Sequence, residues 1–192
     1  IKKIIITDLD DTLWGGEVGD LGWENIRLGG HDSVGEGYQD FQRLLLNLKN
    51  NGMMLAISSK NNEKIALEAI NKNKEMILKK KDFVNWRINW GNKSENIMSM
   101  MTELNLGLDS AIFIDNSKLE REKIKNAIPE VLVPDMPNDS RLYHSFISQL
   151  NCINFLEQTN EDRIKSEQYN IENKRQKLKT KILSEKDWIK EL

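Results

Sequence analysis

The sequence predicts an α/β domain with a parallel central sheet. Short apolar runs alternate with longer amphipathic stretches along the chain, the order that a sheet with crossover helices requires. The runs are apolar at consecutive positions rather than at every second one, as in strands covered on both faces. Two of them pass straight into acidic residues, Thr7 into Asp8 and Ile114 into Asp115. Those are the strand ends where open sheets of this class place their ligands.

Strands are expected over 3–7, 53–58, 111–115 and 131–133, with a weaker one near 83–86. Helices are expected over 36–50, 62–71, 93–104, 119–127 and 140–155, between and after those runs. Gly52 and Gly107 follow helical patterns closely, where glycine caps a helix C-terminus. The glycine-rich stretch 14–37 breaks the alternation and reads as a small flap or hairpin over the sheet edge. Together these elements make one domain over 1–157. The strongly charged segment 158–192 has a sparse apolar stripe of Ile164, Ile171, Leu178, Ile182 and Leu183. It reads as a solvated helical extension packed on that domain or reaching to a neighbour.

The chain has 192 residues, enough for one domain with a real core. Its 28 Lys and Arg against 30 Asp and Glu leave a net charge of −2, which carries no nucleic-acid footprint. The longest apolar stretches, such as 53–57, are strand-sized, far short of the ~20 residues that a bilayer crossing needs. No signal-peptide pattern opens the chain, so a cytoplasmic location is expected. Ile1 in place of a Met suggests a segment excised from something longer. The single cysteine, Cys152, excludes an intramolecular disulfide framework and a multi-cysteine metal cluster. It falls in the last expected helix and reads as a buried structural thiol.

The strongest chemical signal is Asp8-Leu9-Asp10-Asp11-Thr12, directly after the first strand. Asp8 and Asp10 can reach one site if the chain leaves extended structure after Thr7. There they could bind Mg²⁺, or divide into a nucleophile and an acid/base, or form no more than an acidic turn with an Asx cap. Asp115-Asn116 repeats the pattern at a second strand end and adds a third acid for a hard cation. Ser58-Ser59-Lys60-Asn61 offers hydroxyls and amides after the second strand, where a phosphate could sit. Lys93 opens a helix after the weak strand, where it could offset phosphate charge. Taken singly, Ser59 and Lys93 carry little; their order after successive strands makes the set coherent.

That order resembles the haloacid dehalogenase superfamily of aspartate-nucleophile phosphotransferases, and more closely its FkbH-like branch. The shared strings begin with Asp8 to Gly16, Gly35-Glu36 with Phe41-Gln42, Ser59-Lys60-Asn61, and Asn89-Trp90 with Lys93. They continue through Asn105 to Ser110, Phe113-Ile114-Asp115 with Glu120-Arg121-Glu122, and Pro129-Glu130-Val131 with Val133-Pro134. The likeness spans residues 1 to about 137, and the tail ending Asp187-Trp188-Ile189 is similar too. It implies a three-layer Rossmannoid domain with a small flap instead of a large cap.

By this resemblance Asp8 is the phosphoryl-accepting nucleophile and a Mg²⁺ ligand. Asp10 protonates the leaving group, later activates water, and offers its backbone carbonyl to the metal. Ser59 and Lys93 hold phosphoryl oxygens, and Asp115 with Asn116 completes the cation site. Thr12, Trp14, Gly15, Gly16, Lys60 and Asn61 are expected at the substrate, with Thr12 also bracing the loop. Trp14, Trp86 and Trp90 flank the motifs and either wall the pocket or pack beneath the flap.

FkbH-like proteins load three-carbon acyl units in polyketide biosynthesis. They are understood to take 1,3-bisphosphoglycerate, remove phosphate and pass a glyceryl group to the phosphopantetheine thiol of an acyl carrier protein. The resemblance therefore implies an acyl carrier protein as partner and a glyceryl- or lactyl-type unit as cargo. Attack of Asp8 on the phosphorus of an acyl phosphate would release a free acid, so productive transfer needs a nucleophile at the carbonyl carbon.

Many relatives carry Cys where this chain has Ser58, and a hydroxyl is a weak nucleophile without a base. Neither His31 nor His144 is assignable to that task. Ser58 is thus a natural variant, an engineered replacement that traps a complex, or a sign of direct transfer to the carrier thiol. Asn116 stands where Asp is usual, which removes one negative charge from the cation site. The alternative is a Mg²⁺-dependent phosphatase of a small phosphorylated metabolite without acyl transfer. A docking module that has lost its chemistry is a third reading, opposed by the retention of Asp8, Asp10 and Lys93 together.

Overall fold

A computed structural model describes residues 1–153. Four parallel strands, β1 (Ile4–Thr7), β2 (Met54–Ser59), β3 (Asn85–Ile88) and β4 (Ala111–Ile114), form a sheet in the order β3-β2-β1-β4. The register pairs Thr7 with Ile57 on one side and with Ile114 on the other. The ends of β1, β2 and β4 are therefore level, and the loops that leave them meet.

The consecutive apolar residues divide between the two faces as covered strands must. Ile5, Leu55, Ile57, Ile112 and Ile114 pack under α2 (Ser33–Asn50) and α3 (Glu63–Lys72). Ile4, Ile6, Met54, Ala56, Ala111 and Phe113 pack under α4 (Lys93–Glu103) and α5 (Lys118–Ala127). The result is a three-layer α/β/α domain. A short helix α1 (Val18–Leu21) belongs to the flap, and α6 (Tyr143–Ser148) lies on α2. Among the described residues no helix is long and apolar enough to cross a membrane.

Several elements differ from expectation. Helix α2 starts at Ser33 rather than at residue 36, because the Asp32 carboxylate accepts a hydrogen bond from Gly35 N at 3.0 Å and caps the helix there. Gly35 and Gly37 are inside the helix for want of room. A Cβ on Gly35 would meet Gly29 O at 2.5 Å, and one on Gly37 would meet Arg141 N at 2.8 Å. The flap accordingly closes before α2, and the expected boundary at residue 37 is too late. Its base is a backbone pair in which Gly15 and Arg27 exchange both hydrogen bonds, at 2.9 and 2.8 Å.

Gly107 does not cap α4. Its φ is −69°, and Asn105, at φ 52°, takes the left-handed position instead. Asn105 N bonds to Thr102 O and Leu106 N to Met101 O, the pair of bonds that defines a Schellman ending. Gly52, at φ 97°, ends α2 in the same way, as expected.

β3 lies two residues later than expected. The strand expected over 131–133 reduces to one bridge between Ile112 and Leu132, with Pro134, which has no N–H to donate, following at once. The long last helix breaks into the turn Ser140–Leu142, α6, and the turn Asn151–Ile153. Cys152, in that last turn, is exposed and not the buried thiol expected. Residue 157 as a domain boundary and the helical extension over 158–192 lie outside the described residues.

Candidate functional site

Lys93 is the first residue of α4, whose N-cap Asn92 accepts a hydrogen bond from Ser94 N at 3.0 Å. From there the side chain enters the protein, and its Nζ lies 3.0 Å from Asp8 Oδ1 and 2.6 Å from Asp115 Oδ2. All three side chains are buried. Burial works against the Lys93 charge, but the charges of Asp8 and Asp115 and their hydrogen bonds outweigh it and hold the ammonium above its ordinary range. The Asp115 carboxyl is pushed up by burial and by the Asp8 charge, against the opposing pull of Lys93 and of Ser117 N. Two carboxylates therefore share one ammonium in a buried place.

Asp10 is oriented by three donors. Its Oδ1 accepts from Trp14 Nε1 at 2.8 Å and from Val18 N at 3.1 Å, and its Oδ2 accepts from Asn61 Nδ2 at 2.8 Å. Burial raises its carboxyl, opposed by the Val18 and Trp14 hydrogen bonds and reinforced by the charges of Asp8 and Asp11. Asp11, at φ 52°, turns the chain between Asp10 and the flap, and its Oδ1 accepts from Gly16 N at 2.7 Å.

Strand alternation separates the two serines. Ser58 has the parity of Met54 and Ala56 and so lies on the α4 face, level with Asp8, where Lys93 and Asp115 meet. Ser59 falls on the opposite face. Ser58 Oγ is fully buried and has no hydrogen-bond partner. An orphaned hydroxyl at this depth is an acceptor and donor held in waiting. No base adjoins it. The pleat thus sets Ser58, rather than Ser59, on the face that Lys93 and Asp115 share.

Several residues expected at the substrate are tied into the surrounding loops. Trp14 is 0% exposed, and its indole is engaged with Asp10. Thr12 is equally buried; its hydroxyl donates to Asn116 Oδ1 at 3.3 Å and accepts from Asn116 N at 3.2 Å. Gly15 has both backbone groups paired with Arg27, and Gly16 N is held by Asp11. Asn61 is buried, clamping Asp10 and accepting from Asn62 N. Trp86 donates to Glu63 Oε1 at 2.8 Å under the Lys80 ammonium, while Trp90 is open to solvent at 75% exposure. Lys60 pairs with Glu120 Oε1 at 3.1 Å.

Some supporting groups escaped the sequence reading. Val18 acts through its backbone N–H, which has no sequence signature. Arg121 is buried, and its Nη1 holds the carbonyls of Asp115 and Asn116 at 2.9 and 2.7 Å, fixing the β4–α5 turn. A charged residue on the expected inner face of a helix was the available signal. Tyr143 reaches Asp11 O at 3.2 Å across 132 residues, which no local pattern shows.

The donor chemistry suits a hard cation. The acidic donors are all oxygens, and one ammonium between two buried carboxylates leaves one negative charge unbalanced. Among the described residues, however, no three acidic, His or Cys side chains converge as a ligand set. Of the expected quartet Asp8, Asp10, Asp115 and Asn116, the Asp10 carboxylate is held in its three-donor clamp, and the group expected at a cation from that residue is its backbone carbonyl.

No protein-family model matches the chain, and no curated protein matches it. Among solved structures it is similar to the N-terminal part of protein BF1531 from Bacteroides fragilis, described as containing a phosphatase domain complexed with Mg. The identity is 43% and the TM-score 0.76, over 78% of this chain. The chain spans 40% of the length of that structure. A haloacid dehalogenase-like family hydrolase from Xanthomonas campestris has the same fold, at 11% identity and a TM-score of 0.51 over 79% of this chain and 92% of its own. The fold is therefore that of haloacid dehalogenase-like Rossmannoid domains.

Proposed function

We propose that the chain is a Mg²⁺-dependent phosphohydrolase of the haloacid dehalogenase superfamily with Asp8 as its nucleophile. The observation that carries this reading is the Lys93 ammonium held between Asp8 and Asp115, level with the unpartnered hydroxyl of Ser58. The Mg-complexed phosphatase domain of the Bacteroides fragilis relative supports it.

Mg²⁺, held by the Asp8 and Asp115 carboxylates and the Asp10 carbonyl, would offset phosphoryl charge so that a carboxylate can approach phosphorus. Lys93 and Ser58 hold phosphoryl oxygens. Asp8 attacks phosphorus, the bond to the leaving oxygen breaks, and Asp10 gives that oxygen its proton. Asp10 then takes a proton from water as the water attacks the aspartyl phosphate, restoring Asp8 and releasing inorganic phosphate. The upward shift of the Asp10 carboxyl suits a proton donor, and its clamp fixes the direction of donation.

The finer reading places this chemistry in FkbH-like loading of a three-carbon acyl phosphate onto an acyl carrier protein. The ordered strings from Asp8 to Pro134 support it. With Ser58 buried and its hydroxyl unpartnered, the acyl group would pass directly to the carrier thiol, which attacks the carbonyl carbon as phosphate leaves. Phosphate release from a panel of phosphoesters, with Mg²⁺ and with EDTA, tests the hydrolase; Asp8→Asn should abolish it. A panel left intact by the Mg²⁺-loaded chain would refute it. Intact-protein mass spectrometry of holo carrier with acyl phosphate tests the loading. No three-carbon mass gain, with Ser58→Cys equally silent, removes that finer role.

A further inference from the structure

Arg121 is a buried cation that the proposed chemistry leaves unused. It lies one turn into α5 at 5% exposure, just past the loop that carries Asp115 and Asn116. Its Nη1 donates to two successive carbonyls, Asp115 O at 2.9 Å and Asn116 O at 2.7 Å. Both carbonyls are thereby engaged, and the group this loop offers to a cation is the Asp115 carboxylate.

The grip extends to the loop of Asp8. Asn116 N donates to the Thr12 hydroxyl at 3.2 Å, and that hydroxyl donates to Asn116 Oδ1 at 3.3 Å. Thr12 shares its loop with Asp8 and Asp10. Asp115 Oδ1 accepts from Ser117 N at 2.8 Å, and Oδ2 faces Lys93 at 2.6 Å. Arg121 therefore holds the backbone of Asp115 while Lys93 holds its carboxylate. Asp135 is only a loose counterion for Arg121. Its carboxylate stands 3.8 Å from Nε, is 74% exposed and pairs with Lys125 at 2.7 Å, and Nε has no hydrogen-bond partner. A cation buried for stability alone is expected close against a carboxylate; this one is directed at the carbonyls beside an anionic site.

We infer that Arg121 is a positioning residue for the divalent cation. By holding the Asp115 and Asn116 carbonyls it keeps the Asp115 carboxylate where one ion can be shared with Asp8. This inference rests on the Mg²⁺-dependent reading for the ion itself. Charge and position act in opposite directions here. The Arg121 charge repels a divalent ion, so removing that charge alone would tighten binding, whereas losing the grip loosens it.

The test titrates the whole chain with Mg²⁺ and reads dissociation constants by calorimetry, below the melting temperature of each variant. Arg121→Met should weaken Mg²⁺ binding about tenfold or more. Arg121→Lys keeps the charge and can still donate to a carbonyl, so it should recover part of that loss. Asp135→Asn, at an exposed and loosely paired position, should stay within about twofold of wild type. A merely structural role would lower unfolding stability and leave the Mg²⁺ affinity of the folded chain unchanged. The inference is overturned if Arg121→Met binds Mg²⁺ as tightly as wild type or tighter, if Arg121→Lys binds no better than Arg121→Met, or if neither variant folds. A wild-type chain that binds no Mg²⁺ overturns the Mg²⁺-dependent reading and this inference with it. Binding that depends on Arg121 without phosphate release from any phosphoester overturns the hydrolase reading alone.

Discussion

The Lys93 ammonium bridges the Asp8 and Asp115 carboxylates, 3.0 Å from one and 2.6 Å from the other, in a place that water hardly reaches. The lysine comes from a helix and the two acids from neighbouring strand ends, so the triad ties α4 to the sheet. Its removal leaves two like charges buried together. Lys93→Met should cost about 3–5 kcal/mol in urea unfolding and lower kcat by about a hundredfold or more. The double variant Lys93→Met with Asp115→Asn should recover part of the stability but none of the activity. Equal stability of the single variant and wild type would show that the bridge does not form.

Ser58 should separate stability from activity. Its hydroxyl is buried without a partner, so Ser58→Ala removes an unsatisfied group and should raise stability by about 1 kcal/mol. The same change takes a donor from the phosphoryl group and should lower kcat/KM for phosphoesters by about tenfold or more. Ser59→Ala, on the other face, should leave kcat/KM within about twofold. A larger effect at Ser59 than at Ser58 would reverse the assignment drawn from strand parity.

Asp32 gives the flap a pH dependence. Hydrogen bonds from Arg27 and from Gly35 N hold its carboxyl at about 2. An unfolded Asp titrates near ~3.9, so the stabilisation is fully present above that value and is lost as pH falls through the folded pKa. The Tm difference between wild type and Asp32→Asn should therefore be constant from pH 5 to 7 and vanish as pH nears 2. A difference that persists at pH 2 would rule out the charged pair as its source.

The end of α4 allows a backbone test. Asn105 occupies the left-handed region and Gly107 does not. Asn105→Ala should cost about 1 kcal/mol in chemical denaturation, and Asn105→Gly should be neutral or stabilising. Gly107→Ala, whose Cβ would meet only the movable end of the Asp109 side chain, should cost less than Asn105→Ala. The opposite ranking would place the cap at the glycine.

Much of this architecture is legible in the chain itself. Continuous apolar runs determined the covered strands, and their carboxylate endings marked Asp8 and Asp115, because both signals are local and periodic. The start of α2 was also written locally, in Asp32, but the glycines at 35 and 37 masked it. Their reason is the close approach of Gly29 and Arg141, which lie nearby only after folding. The cap of α4 was misplaced for a related reason: Asn105 tolerates the left-handed turn that glycine usually takes.

Tertiary structure alone decided which groups meet. The sequence by itself supplied the motif Asp8 to Thr12, the pair of serines and Lys93, together with the order of the strands that carry them. Only the pleat, with its two-residue period, separated Ser58 from Ser59. Only the folded flap showed that Trp14 turns inward to hold Asp10, since an indole beside an acid is equally compatible with solvent. And only the sheet order β3-β2-β1-β4, which sets β1 between β2 and β4, brought Lys60 across to Glu120 from 60 residues away. Local residue type determines what a side chain can do, but charge pairing and burial depend on distances that close only when the chain does.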